Sequence, residues 1–381
     1  MEDGRMRTGL EDARGAREAA GGISKPLPGR LFVDHRGSGR PDPEDPTGDM
    51  GLNAEMRWEA MAREGYLTPV GLFFVRNHAP TPRVDPLRWR LRVEGPGVRR
   101  ALELGYEDLL RMSGVSLVRA LECAGNGRAF FAGERGRPAP GTQWRLGAVG
   151  VAEWTGVPLR EVLLRAGLRR EAREVMLEGL DACRMRRPLP LEKALEEDTL
   201  LAYGMNGEPL PPDHGYPLRA VVPGWAAVAS VKWLGRIYVS DVPLLSPWNT
   251  ARYVLTGGPF GEGRLPVGPQ VPKSALELPW PARLPSGRHV ITGRSWSPSA
   301  GIRHVKYSLD GRSWRPAQLF GPNIPRAWAR WRFVWEASPG RYRIRVRATD
   351  AAGNTQPDKA TPNELGYLYG AVVGHPVTVE P

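Results

Sequence analysis

Apolar positions recur along this chain with two different periods, and the change of period divides it. From about Met56 to Asp241, strand-like and helix-like runs are interleaved. Phe73-Phe74-Val75 is a short apolar run, and Trp89 to Val93 alternates strictly; both read as strands. Tyr106 to Met112 and Pro158 to Ala166 read as short helices, the second placing Leu159, Val162, Leu163 and Ala166 on one face. Arg219 to Val239 is apolar, with two strand-like halves around Pro223-Gly224. A passage rich in Gly and Pro from Thr256 to Pro285 reads as linker and outer loop. Beyond it only the strand period occurs. Tyr342, Ile344, Val346 and Ala348 alternate with Arg341, Arg343, Arg345 and Arg347, a half-buried strand with one charged face. Asp310-Gly311 sits between two such runs as a hairpin turn. Regular short strands over a span of about 100 residues predict an immunoglobulin-like sandwich. The expected fold class is α+β. Residues 1–50 form an extended polar arm, 51–255 a mixed α/β domain, and 256–381 an all-β sandwich in which 256–285 are linker and outer loop.

Composition narrows this picture. No run approaches the roughly 18 apolar residues of a membrane helix, so no membrane partner is expected. The first twenty residues are polar and carry no apolar signal core, which reads as cytoplasmic for the sequence as written and as periplasmic if a leader was removed. Cys123 and Cys183 are the two cysteines, too few for a disulfide scaffold or an all-cysteine cluster. Lys and Arg number 53 against 41 acids, a net charge of +12, yet the basic residues are spread along the chain with no polybasic tail. That spacing favours a solvated surface over a nucleic-acid footprint, and no nucleic acid is expected.

Candidate chemistry gathers in three loops. Cys123 lies in LECAGNGR (121 to 128), after an apolar run and before a tight Gly-x-Gly turn. An isolated cysteine is more often a small buried hydrophobe, but at a strand end near arginine it can be a nucleophile or a soft-metal ligand. Cys183 has no comparable setting. Arg76-Asn77-His78 follows a strand and precedes Ala79-Pro80-Thr81-Pro82, an extended loop suited to capturing an oxyanion with the arginine. His214 and Arg219 repeat the theme before another strand, and Ser230-Val231-Lys232 follow the next Gly-rich turn. Hydrolytic zinc and serine signatures are missing from the sequence. Three loops offering Arg, His or Lys beside one thiol describe a pocket for a polyanionic group.

These words resemble the sulfite oxidase family of molybdenum enzymes. The matching segments are FFVRNHAPTP (73 to 82), LECAGNGR, Trp144 to Gly150, EGLD (178 to 181), MNGEPLPPDHGYPLR (205 to 219) and VVPGW…SVKWLGRI (221 to 237), with YSLDGRSW (307 to 314) and RATDAAGN (347 to 354) in the tail. The resemblance implies a sulfite-oxidase-type molybdopterin-binding domain followed by an immunoglobulin-like dimerisation domain, hence a homodimer. It implies molybdenum held by Cys123 beside the two dithiolene sulfurs of molybdopterin. Phe74, Val75, Arg76, Asn77 and His78 would border the cofactor. Asp181, His214, Arg219, Ser230, Val231 and Lys232 would hold the pterin and its phosphate. Arg76, Arg128, Trp144 and Tyr253 would face the substrate.

The implied reaction is oxygen-atom transfer from a molybdenum-oxo centre to sulfite, giving sulfate, with electrons passed to an external acceptor such as a cytochrome. The pattern departs from the animal enzymes in having Gly127-Arg128 where they carry two arginines, and in lacking their haem domain. The turn Trp296 to Gly301 also holds no cation until Arg303. The same cofactor acting on another substrate is the alternative: reduction of a sulfoxide or other oxo-compound, or oxidation of another sulfur species.

Overall fold

The computed structural model describes residues 25–35 and 51–381; the rest of the predicted arm, 1–24 and 36–50, lies outside the described residues. Within that arm Phe32–Asp34 is a strand, pairing with Asn53–Met56, which in turn pairs with Val75–Arg76. The expected strand at Phe73 to Val75 is therefore shorter and shifted. Pro69 leads into a 3-10 turn at Val70–Leu72, and both phenylalanine rings are buried and stacked at 5.5 Å instead of alternating between faces.

Two five-stranded sheets build the first domain. One runs in the order Glu208–Pro209, Leu200–Met205, Val149–Pro158, Val115–Glu122, with Arg219–Val221 also paired to Leu200–Met205. The other runs Leu102–Gly105, Arg90–Glu94, Leu234–Ser240, Glu174–Gly179, Arg186–Pro190. Between the sheets lies a core of Leu91, Val93, Val157, Val175, Leu177, Ile237 and Val239. The helices Tyr106–Leu110 and Leu159–Ala166 fall where the apolar period places them, the second burying Leu159, Val162, Leu163 and Ala166. Burying four such side chains contributes on the order of 5 kcal/mol against leaving them in water. Among the described residues no helix is long and apolar enough to cross a membrane.

The tail is a β-sandwich of eight strands. Lys273–Leu276, Gly287–Trp296 and Trp328–Ala337 make one layer. Ile302–Ser308, Gly340–Asp350, Gly374–Glu380 and Ala282–Pro285 make the other, and Arg315–Asn323 passes from one layer to the next, pairing with both. The passage 256–285 is thus more than linker: Lys273–Leu276 and Ala282–Pro285 close the two edges of the sandwich. Its inner face is aromatic, with Tyr307 stacked on Phe333 at 3.7 Å and Trp331 fully buried. In Gly340–Asp350 the apolar residues Ile344, Val346 and Ala348 are buried and the arginines between them are not, as the alternation requires.

Sandwich and first domain share a polar seam beside Cys123. The buried Glu122 carboxylate accepts from Lys273 Nζ at 2.5 Å, Asn126 Nδ2 at 2.8 Å and Trp296 Nε1 at 2.9 Å. Gln270 Nε2 donates to the Glu122 carbonyl at 2.9 Å. Three of these four donors belong to residues beyond 255.

Candidate active site

A cavity opens where the ends of these sheets meet. The loop after Val75–Arg76 supplies Arg76, Asn77 and His78, the turn after Val115–Glu122 supplies Cys123, and the turn after Glu174–Gly179 supplies Asp181. The loops around Arg219–Val221 supply His214, Arg219, Ser230, Val231 and Lys232, and Tyr253 closes one side; Phe73 and Phe74 make the apolar wall. The thiol, imidazole and cationic side chains expected in three separate loops are therefore brought together.

Cys123 is held at a fixed place by its own turn. Its N–H donates to Ala148 O at 2.9 Å, its carbonyl accepts from Asn126 N–H at 3.0 Å, and Asn126 Oδ1 accepts from Ala148 N–H at 3.1 Å. The side chain is buried, and burial pushes the thiol pKa up while Arg76 and Arg128 pull it down. The thiol lies against the cavity with its exposure to bulk water nearly gone. Cys183 has an ordinary structural role: its Sγ donates to Asp181 Oδ2 at 3.1 Å.

Positive charge dominates the opposite wall. Lys232 Nζ donates to Asp213 O at 2.8 Å and to Asn77 Oδ1, and burial presses its pKa down to about 7, with Arg219 adding to the effect. Arg219 donates to His214 O at 2.9 Å and Ser230 O at 3.2 Å, and burial lowers it to about 9. Ser230 Oγ accepts from Val222 N–H at 3.0 Å, fixing the strand behind it. Asp181 Oδ1 accepts from Met185 N–H at 2.9 Å. His214 is neutral, its pKa driven far down by burial and by Lys25, Lys232 and Arg219, and its buried Nε2 has no hydrogen-bond partner. Cations strained toward neutrality and an unpartnered imidazole nitrogen describe a wall that an anionic ligand would satisfy.

Tyr253 forms the remaining side. Its hydroxyl is 2.7 Å from His78 Nε2, and Trp248 meets the His78 ring edge-on at 4.6 Å. Burial raises the phenol pKa and lowers that of His78, so the pair shares one proton as neutral partners.

Three expected residues sit elsewhere. Val75 pairs with Ala54 in its sheet and faces the core; Trp144 is buried behind Cys123 with its ring 4.7 Å from His35. Arg128 does not line the cavity. Its Nε donates to Leu365 O at 3.1 Å and Gly366 O at 3.2 Å, its Nη1 to Thr142 O at 3.1 Å, and its guanidinium lies 4.7 Å over the Tyr367 ring. Four residues without a visible signal join the site. Asp213 lines the cavity, Lys25 donates to it, Glu122 anchors the cysteine turn, and Tyr367 stacks on Tyr253 at 5.2 Å. Lys25 and Tyr367 lie far from the motif words, whereas Glu122 and Asp213 lie inside them, where the only signal was their place beside Cys123 and His214.

The family described as oxidoreductase molybdopterin binding domain matches residues 78–248. Sulfite oxidase of Gallus gallus is 40% identical over 354 residues, which is 84% of this chain and 74% of that protein. The chain belongs to the sulfite oxidase family. Mitochondrial sulfite oxidase of Mus musculus is 36% identical over 84% of this chain but 63% of its own length, so this chain spans under two thirds of that relative. The crystal structure of the sulfane dehydrogenase SoxCD from Paracoccus pantotrophus superposes with a TM-score of 0.77 at 30% identity, covering 87% of each chain. The protein is thus a molybdopterin-dependent oxidoreductase of this family. The cavity fits that cofactor: one thiol sulfur suits a soft metal, and the unpartnered His214 Nε2 with Arg219 and Lys232 suits an anionic organic group.

Proposed function

We propose that this chain oxidises sulfite to sulfate, with molybdenum bound by Cys123 and molybdopterin held by Asp181, His214, Arg219, Ser230, Val231 and Lys232. The observation that carries the reading is the convergence of the Cys123 thiol, the buried cations and the Tyr253–His78 pair on one cavity. When bound, the molybdenum cofactor supplies the oxygen atom that the substrate gains and takes up the two electrons it loses.

The protein's own contribution is positioning and charge. Arg76, half-buried at the cavity edge and donating to Asn53 Oδ1 at 3.0 Å, offers a fixed planar cation to a small dianion. Arg128, held behind Tyr367, adds positive potential at Cys123 and Tyr253 without touching the cavity. Tyr253 keeps its proton at neutral pH and donates a hydrogen bond from Oη, while His78 holds the ring in place. The apolar wall of Phe73 and Phe74 keeps bulk water from the thiol.

Electrons leave to an external acceptor, a cytochrome being the expected class. Two copies would pair through the sandwich, where Val290 and Val334 face each other across adjacent strands and are both exposed. Sizing chromatography of the whole chain checks this. Cytoplasmic residence, or export with a leader, belongs to the same proposal and is read by fractionation.

The test is steady-state sulfite oxidation with ferricyanide, on protein shown by elemental analysis to hold molybdenum. Turnover is expected, and Cys123→Ser should abolish both activity and metal content. Metal-loaded protein without sulfite turnover would redirect the reading to the second one. That second reading, oxidation of another sulfur species, draws on the turn 297–301. Ser297 and Ser299 are tied to Asp350 at 2.6 and 3.0 Å there, the Pro298 carbonyl abuts Gly224, and the turn itself carries no Lys or Arg. The likeness to a sulfane dehydrogenase points the same way. Comparing sulfite with persulfide substrates separates the two.

A further inference from the structure

One side chain from the segment 25–35 reaches the edge of the cavity from far away in sequence. Lys25 donates from Nζ to the carbonyls of Val70, at 3.2 Å, and Phe73. Its main-chain N–H donates to Asp213 Oδ2 at 2.8 Å, while Asp213 Oδ1 accepts from Thr81 Oγ1 at 2.6 Å. Lys25 therefore ties the turn at 70–73 to the turn at 212–214. His214 stands between them, its ring edge-on to Phe73 at 5.5 Å. The other end of the segment is fastened as well. Phe32–Asp34 pairs with Asn53–Met56, and Arg57 Nε donates to Gly29 O at 2.8 Å.

The ammonium of Lys25 is costly where it sits. Burial brings its pKa down to about 7, partly opposed by Asp213, and its charge adds to those of Lys232 and Arg219 around His214. Bare stability does not call for a third cation beside a neutral, unpartnered imidazole. An anionic ligand at this wall does, because each cation then gains a counter-charge.

We infer that the segment 25–35 is a clasp on the cofactor cavity, in which Lys25 is a positioning residue that locks the 70–73 turn to the 212–214 turn and so holds His214 in place for bound molybdopterin. This rests on the assignment of the cavity to the cofactor. The main-chain bond to Asp213 belongs to any residue at position 25, whereas the two carbonyl bonds need a long cationic side chain.

The experiment compares Lys25→Met, Lys25→Arg and the unaltered chain, each purified loaded from a cofactor-competent host. Molybdenum and pterin per chain are followed through extended dialysis, and the melting temperature of metal-free protein is measured beside them. Lys25→Met loses both carbonyl bonds and should release molybdenum at least about tenfold faster, the factor for a single charge-assisted hydrogen bond being the lower bound. Lys25→Arg should retain it like the unaltered chain, and the three metal-free proteins should melt together. Equal retention in Lys25→Met overturns the clasp. A metal-free Lys25→Met protein that melts much lower, without rescue by Lys25→Arg, shows a merely structural residue and overturns it too. An unaltered chain that carries no pterin at all removes the cofactor assignment itself, a failure read from a different sample.

Discussion

His375 shows how much a single buried ring can weigh. Burial presses its pKa from 6.5 to about 4, opposed by a hydrogen bond to Pro279 O at 2.8 Å and helped by Arg145. The folded state therefore favours the neutral ring. Its contribution is present above pH 6.5 and is lost as the pH falls from there through 4, about 3 kcal/mol in full. His375→Gln should flatten the loss of stability in urea between pH 6.5 and 4.5 relative to the unaltered chain; parallel curves would show that the ring is not responsible. Residues of this kind were hard to read from sequence. Cys123, His214 and Tyr253 were legible because they sit in words or at a spacing that the family resemblance carries. Lys25 was not, because a lone lysine among polar residues carries no pattern, and its partners Val70, Phe73 and Asp213 are reached only through folding. Val75 was drawn toward the cavity by adjacency in sequence and Trp144 by the resemblance, but Val75 packs into the core and Trp144 backs the cysteine from the core side.

At the scale of elements, period was a reliable guide where one face meets a core, and failed where rings pack on both sides. The helix Leu159–Ala166 and the strand Gly340–Asp350 lie where their patterns put them. Phe73 and Phe74 are instead packed by the sheet they lean on. Gly150, in the strand Val149–Pro158, lets the Phe73 ring approach so closely that a Cβ there would lie 2.4 Å from it. Gly150→Ala should therefore cost about 1–3 kcal/mol in urea unfolding, as overpacking does. Because Phe73 lines the cavity, a displaced ring alters its wall, and the variant should also purify with less molybdenum. Gly133, in the helix Phe131–Arg135, has open space around a Cβ. Gly133→Ala should be neutral or stabilising by about 0.5–1 kcal/mol, which makes it the control for helix propensity alone. A Gly150→Ala protein as stable as that control would mean that the strand yields instead of the ring.

For the molecule as a whole, the buried pair Lys273–Glu122 decides how the sandwich and the first domain depend on one another. Both side chains are nearly inaccessible, and Glu122 immediately precedes Cys123. Lys273→Met leaves a carboxylate buried without its counter-charge and should cost about 3–5 kcal/mol. Adding Glu122→Gln should recover more than half of that, because the remaining groups can bond as neutral partners. Unfolding of the two single variants and the double in urea measures the coupling, and additive losses would place the pair outside the seam. The two-part architecture was visible in the change of apolar period. The seam was not, since Lys273 lies in a passage that composition alone describes as linker.

Tyr367 has a consequence in time. It packs against Tyr253 and carries Arg128 over its ring, and Leu368 N–H reaches the Ala124 carbonyl at 3.0 Å, so one wall of the cysteine turn is completed by a segment made well after Tyr253. At a synthesis rate of roughly 5–20 residues per second, on the order of ten seconds separate the appearance of Tyr253 from that of Tyr367. Throughout that interval the first domain has all its strands but lacks this wall. The Cys123 turn of a growing chain thus waits, its own strands already made, for support that arrives only with the tail.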